Sequence, residues 1–162
     1  QLEQNNEWVN EFITFSQGYR GQEIVDETGF VSQNIVALEP ELNQQAPDDY
    51  VDLVKGAKRL SINFRFKPGS ASLDSKAQRD IARLVDYLDA QEFEREVLLV
   101  GFGDKRKSSA RTRLLSKLRA MAVRRELVRN AIYPDETTGY GEFLPVASMQ
   151  SLKNRRVEVW LR

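Results

Sequence analysis

The stretch LLVGFGDKRKSSARTRLLSKLRAMAVRRELVR, Leu98 to Arg129, limits what this chain can fold into more than any other. Val97, Leu98, Leu99 and Val100 form an unbroken branched apolar run, which suits a strand buried on both faces. Gly101-Phe102-Gly103-Asp104 follows, with glycines that let the backbone turn tightly and a carboxylate at the mouth of the turn. The periodicity then predicts a helix from about Thr112 to Arg129, with Leu115, Leu118, Ala122 and Val123 on its inner face.

Arg119 is the oddity of that helix. It lies four residues after Leu115 and four before Val123, so helical geometry directs its guanidinium inward, where it needs an acceptor. A strand, tight turn and helix can fold back so that Asp104 faces Arg119. Two readings stay open at this point. One is a structural salt bridge tying loop to helix. The other is a pair that shares a ligand: an amino-acid zwitterion has an ammonium for Asp104 to accept and a carboxylate for the planar fork of Arg119 to clamp.

Along the rest of the chain, Trp8, Phe12, Phe15 and Tyr19 follow i, i+4, i+7, i+11 spacing, an aromatic stripe on a helix that Gly18 ends. A second helical piece is expected at Gly21 to Thr28. Residues 36–49 contain Pro40, Pro47 and many polar side chains and read as a linker; residues 49–57 read as a brief helix with Tyr50, Leu53 and Val54 inward. Leu60, Ile62, Phe64 and Phe66 alternate with polar residues, which predicts a half-buried strand broken by Pro68-Gly69. Ala77, Ile81, Leu84 and Leu88 mark a helix from about Asp74 to Asp89. Residues 137–140 supply a short strand, and Val157, Val159 and Leu161, alternating with Arg156, Glu158 and Trp160, supply another. The order βαβα(β)β predicts an α/β two-layer sandwich, a mixed sheet with helices on one face, joined by a right-handed crossover and preceded by an N-terminal helical segment.

Composition narrows the function. The net charge of zero conceals unlike halves: residues 1–57 hold 11 acidic and 2 basic residues, and residues 58–162 hold 13 acidic and 22 basic. Lys105 to Arg129 alone carries ten basic residues against one acidic, Glu126. Nucleic-acid binding by this basic helix is disfavoured, because no aromatic residue is interleaved after Phe102 to stack on bases. With no cysteine and no histidine, the chain lacks a disulfide framework, the commonest general base and the commonest metal ligands. No nucleophile motif or phosphate-cradling loop appears, so neither an enzyme nor a cofactor is expected. No run of eighteen apolar residues is present to span a membrane. The start at Gln1 reads as the cut end of a longer precursor.

The run Gly101-Phe102-Gly103-Asp104, then Leu115-Ser116, Arg119-Ala120, Val123 and Leu127, resembles the OmpA-like peptidoglycan-binding domain, an aspartate turn followed by Leu-Ser-x-x-Arg-Ala-x-x-Val-x-x-x-Leu. Gly139-Tyr140-Gly141-Glu142, Pro145-Val146-Ala147 and Asn154-Arg155-Arg156-Val157-Glu158-Val159 resemble the family's closing signatures. The likeness covers residues 58–162. It implies noncovalent binding of the peptide stem of Gram-negative peptidoglycan through diaminopimelate, with Asp104 on the ammonium and Arg119 on the carboxylate. It also implies supporting roles for Gly103, Lys107, Thr112, Asn154 and Arg155; the first three stand where the family pattern has threonine, glycine and asparagine.

Residues 7–35, EWVNEFITFSQGYRGQEIVDETGFVSQNI, are similar to the C-terminal end of phosphate-type periplasmic substrate-binding proteins. Residues 1–36 therefore read as a remnant of such an upstream domain, 37–57 as linker and short helix, and 58–162 as the OmpA-like domain. The whole implies a periplasmic protein anchored to the cell wall, associated with the outer membrane. The alternative is an envelope protein-interaction or signalling module that does not hold peptidoglycan.

Overall fold

In a computed structural model, the structure describes residues 7–17, 20–21, 24, 34–39, 42, 46–91, 95–104, 109–144 and 152–162. The chain divides into two compact units, Gln1–Asn34 and Ile35–Arg162. In the first, helix α1 spans Glu7–Gln17; Gly18, where the spacing predicts its end, lies outside the described residues. Its apolar side chains are exposed, Trp8 at 79% and Phe12 at 69%. Tyr19, and most of the helical piece expected at Gly21 to Thr28, lie outside the described residues.

The second unit runs β1 (Ala37–Leu38), α2 (Asp48–Val54), β2 (Lys58–Arg65), α3 (Ser75–Asp89), β3 (Val97–Gly101), α4 (Ser109–Arg129), β4 (Glu136–Gly139), a single 3-10 turn (Leu152–Asn154) and β5 (Arg156–Leu161). Five strands form one sheet in the order β1-β2-β5-β3-β4. The last strand, β5, lies antiparallel between β2 and β3, and β3 pairs in parallel with β4. This is the mixed sheet expected from the strand and helix order. β1 falls within the expected linker: Ala37 pairs with Leu60 and Leu38 with Arg59, and the Ser61 amide donates to the Val36 carbonyl at 2.8 Å. The outer edge of β2 offers unpaired backbone groups, and the passing chain satisfies some of them.

Each element has a local cause. Asp74 caps α3 by accepting from the Ala77 amide at 2.8 Å, satisfying one of the donors that a helix start leaves bare. Alternation then places Phe64, Leu99 and Val159 on one face of the sheet, where Ile81 and Leu84 of α3 and Val123 and Leu127 of α4 complete the main core. The two long helices thus share a face. Leu98, Val100 and Trp160 point to the other face, where Tyr50 and Val54 of α2 join them.

That second face explains why every residue of β5 is buried, although Arg156, Glu158 and Trp160 are the polar-side positions of the sequence pattern. The Glu158 carboxylate accepts from Arg156 Nε at 2.7 Å, Trp160 Nε1 at 3.3 Å and the Tyr50 hydroxyl at 3.4 Å, and pairs with Arg59 at 3.3 Å. Arg156 stacks 4.1 Å from the centre of the Phe102 ring. These donors satisfy the lone pairs of a carboxylate buried away from water.

Candidate functional site

The site lies at one end of the sheet, where β2 and β3 finish and β5 begins. Gly101 ends β3, and the turn after it is stitched to its neighbours by backbone bonds: Phe102 N to Arg156 O at 2.7 Å, Gly103 N to Gly141 O at 2.6 Å, and Tyr140 N to Gly101 O at 2.9 Å. Helix α4 lies hard against this turn. A Cβ at Gly101 would stand 2.0 Å from the Ser116 carbonyl oxygen, and one at Gly139 would stand 2.4 Å from the Lys117 nitrogen. Only glycine permits that approach. Ser116, fully buried, locks the contact: its hydroxyl accepts from the Gly141 amide at 2.9 Å and donates to the Arg113 carbonyl at 2.7 Å. The sequence names Ser116 within a motif but does not reveal this role, because the Gly141 turn is 25 residues away.

Arg119 points inward, as the spacing predicts, and has no exposed surface. Its guanidinium donates from Nε to the Ser70 carbonyl at 2.9 Å, from Nη2 to the Lys67 carbonyl at 3.3 Å and from Nη1 to the Phe102 carbonyl at 3.4 Å. It also lies 5.5 Å from the centre of the Phe66 ring. The turn that Pro68-Gly69 makes after β2 therefore supplies two of these acceptors, a contribution that pattern reading misses because carbonyl groups are common to every residue. Asp104, nearly buried, forms an ion pair with Arg155 at 3.0 Å. Arg155 also donates from Nε to the Phe66 carbonyl at 3.1 Å.

Of the residues named from the sequence, Gly103, Asp104, Thr112, Arg119 and Arg155 come together here. Arg119 Nη1 lies 3.6 Å from the Cβ position of Gly103, and Thr112 Cγ2 lies 3.0 Å from it. Thr112 and Asn154 are buried; Lys107 and its neighbours in the loop 105–108 lie outside the described residues. Leu118, expected on the inner face of α4, is 44% exposed instead. Thr112, Ser116, Arg119, Ala120, Val123 and Leu127 define the buried stripe, and Leu118 sits a quarter turn outside it.

The carbonyls of Lys67, Ser70 and Phe102 accept from Arg119, and Asp104 pairs with Arg155, so two arginines and one carboxylate meet at this end of the sheet. Among the described residues no group of three or more histidine, cysteine, aspartate or glutamate side chains is placed to hold a metal, and no helix is long and apolar enough to cross a membrane.

A mixed sheet with this strand order, backed by two helices, and with an arginine and an aspartate at one end, defines an α/β domain of the OmpA C-terminal type. Solved structures share the fold. The peptidoglycan-associated lipoprotein from Burkholderia pseudomallei is 27% identical with a TM-score of 0.56, over 62% of this chain and 89% of that chain. The cell wall anchor of the T6SS from Pseudomonas aeruginosa is 25% identical with a TM-score of 0.52, over 65% of this chain and 80% of that one. A MotB-like protein from Desulfovibrio vulgaris, 24% identical, matches in fold over 94% of this chain and 87% of that chain, with a TM-score of 0.58. No curated protein matches. The family pattern matches residues 65–158, and the chain belongs to the OmpA family.

Proposed function

We propose that the Ile35–Arg162 unit holds peptidoglycan noncovalently, gripping the diaminopimelate of the peptide stem between Asp104 and Arg119. The observation that carries this reading is the placement of the Arg119 guanidinium beside the Gly103-Asp104 turn. A carboxylate reaches the fork by replacing the neutral carbonyls of Lys67 and Ser70, exchanging ordinary hydrogen bonds for charge-assisted ones. A carboxylate has two oxygens and about four lone pairs, so Asp104 can serve the ligand's ammonium while keeping Arg155. Gly103 and Thr112 border this place, and Asn154 and Arg155 support it. Two of the structural relatives are a peptidoglycan-associated lipoprotein and a cell wall anchor, which favours the same ligand.

The reading places the protein in the periplasm, against the cell wall, and near the outer membrane. The likeness of residues 7–35 to the end of a phosphate-type substrate-binding protein supports a further step, that the domain anchors such a protein to the wall. No catalysis and no cofactor are required for anchoring.

A second reading is favoured by the complete burial of Arg119: an envelope interaction or signalling module in which Asp104 and Arg119 only brace the turns. Arg119→Leu does not separate the two, because it strands the carbonyls of Lys67, Ser70 and Phe102 and costs stability in either case. Ligand selectivity does. Diaminopimelate carries a terminal carboxylate beside its ammonium, whereas a lysine-type stem carries the ammonium alone and leaves the fork without its charged partner. Calorimetric titration of both stem peptides into the wild type should show the lysine form binding about 100-fold more weakly, and Asp104→Asn should weaken the diaminopimelate form. Equal binding of the two stems, or binding of neither, would leave the bracing role as the function of the pair.

A further inference from the structure

Arg59, Arg65 and Arg156 meet Glu158 on the sheet face opposite the long helices. Arg155 turns toward Asp104, and the next residue, Arg156, turns toward Glu158, as alternation along a strand requires. Arg65 lies directly across from Arg156 in the register of β2 with β5. Like charges placed opposite each other on neighbouring strands repel. Burial, followed by the charges of Arg156 and Arg59, lowers the pKa of Arg65 from its ordinary value. Glu158 cannot serve all three arginines. Its oxygens already accept from Arg156 Nε, Trp160 Nε1 and the Tyr50 hydroxyl and pair with Arg59, which uses the roughly four lone-pair sites of a carboxylate. Donors are left over: among the described residues, Arg156 Nη1 and Arg59 Nε are buried without a hydrogen-bond partner, and Arg156 as a whole is 2% exposed. Arg65 donates from Nη1 to the Lys153 carbonyl, which leaves its other nitrogens for a further acceptor.

We infer that Arg65 and Arg156 form an anion-binding site on this face, with Arg59 adding charge beside it, and that the site takes a tetrahedral oxyanion of the phosphate class. Buried donors are nearly always satisfied, and one that the protein leaves unpaired marks a place for an acceptor from outside. Arg65 and Arg59 are half-buried and reach solvent, so the anion enters against Arg65 and meets Arg156 at the buried end. The geometry selects its shape. The donors belong to separate guanidinium planes on neighbouring strands, whereas a carboxylate holds its oxygens in one plane and matches a single fork. A phosphate spreads its oxygens tetrahedrally and accepts from both arginines, and its charge relieves their repulsion. The site is separate from the turn that holds Asp104 and Arg119, and stands whether or not that turn binds diaminopimelate.

The test titrates inorganic phosphate into the full chain, with ionic strength held constant by sodium chloride, and follows the arginine side-chain Nε–H signals by NMR. The signals of Arg65 and Arg156 should shift to saturation. Arg65 is half-buried, so Arg65→Gln keeps the fold while removing one side of the site, and it should bind phosphate about tenfold more weakly, read from the Arg156 signal. Arg124→Gln, exposed on α4, should bind as the wild type does. Glycerol 3-phosphate separates the sources of the anion. Saturation with it as well extends the site to ester-linked phosphate such as a lipid headgroup carries, and saturation with inorganic phosphate alone confines it to the free ion. Shifts that never saturate, shifts centred on Arg119, or an unchanged phosphate affinity in Arg65→Gln would overturn the inference.

Discussion

Asp104 and Arg155 are 11% and 7% exposed at their side chains and 3.0 Å apart, so each is the charge that makes the other's burial tolerable. Asp104→Asn leaves Arg155 without its counter-charge, and Arg155→Leu leaves Asp104 without its own; either should cost on the order of 3 kcal/mol. In denaturant titrations the double variant should cost clearly less than the two single losses added together; additivity would mean that the pair contributes nothing as a pair. Two tyrosines add a pH dependence. Burial, reinforced by the Asp49 charge, pushes the Tyr140 hydroxyl up to about 12, and burial with the neighbouring Glu158 carboxylate raises Tyr50 further. An unfolded chain ionises tyrosine near 10, so the unfolded state releases its protons first as pH rises. The stability these groups contribute is therefore complete below about pH 10 and is lost as pH climbs toward 12 and beyond. Tyrosinate absorbance should rise later in the native chain than in urea, and Tyr50→Phe should flatten the alkaline loss. At this scale the sequence was informative about direction and silent about partners. The inward position of Arg119 follows from counting residues along a helix, whereas its acceptors are main-chain oxygens 49 and 52 residues away, and no side-chain pattern marks them.

Among elements, the contact of α4 with β3 and β4 depends on the absence of two methyl groups. A Cβ at Gly101 would have to occupy space 2.0 Å from the Ser116 carbonyl, which belongs to the helix backbone and cannot swing aside as a side chain does. Gly101→Ala should therefore shift α4 as a body and destabilise the domain by about 2 kcal/mol, the cost typical of overpacking a filled interior. Chemical-shift changes should reach Arg119, a turn of helix further on; changes confined to residues next to 101 would show that the helix does not move as one. The sequence revealed most of the elements because their periods are strong. The alternation through Phe64 and the spacing from Ala77 to Leu88 each place an element close to its observed bounds. It did not reveal that the polar side of β5 is covered. Arg156, Glu158 and Trp160 read as a wet face because their burial depends on α2 and on bonds to Tyr50 and Arg59, 108 and 99 residues earlier in the chain. Leu118 misled for the opposite reason: a leucine beside the inner stripe reads as core unless the centre of the stripe is fixed by its buried serine and threonine.

Across the whole molecule, the two units differ in what holds them. The Ile35–Arg162 unit has a core on each face of its sheet, while α1 is 11 residues long with its apolar side chains exposed. A helix of that length is marginal in water without packing. Its amides should exchange with deuterium within seconds, several orders of magnitude faster than those of β3 and β5; slow exchange in α1 would mean that its apolar side chains are packed in solution. The sheet carries a consequence of a different kind. Val157 pairs with Phe64 on one side and with Gly101 on the other, so the middle of the sheet is the element synthesised after all the others. Until residues 156–161 are in place, β2 pairs only with β1 and β3 only with β4, and the edges of β2 and β3 that face each other stay unpaired. Vectorial synthesis cannot build this sheet from one edge inward. It waits for a strand of six residues, and a chain stopped just short of them has two strand pairs that nothing joins into one sheet.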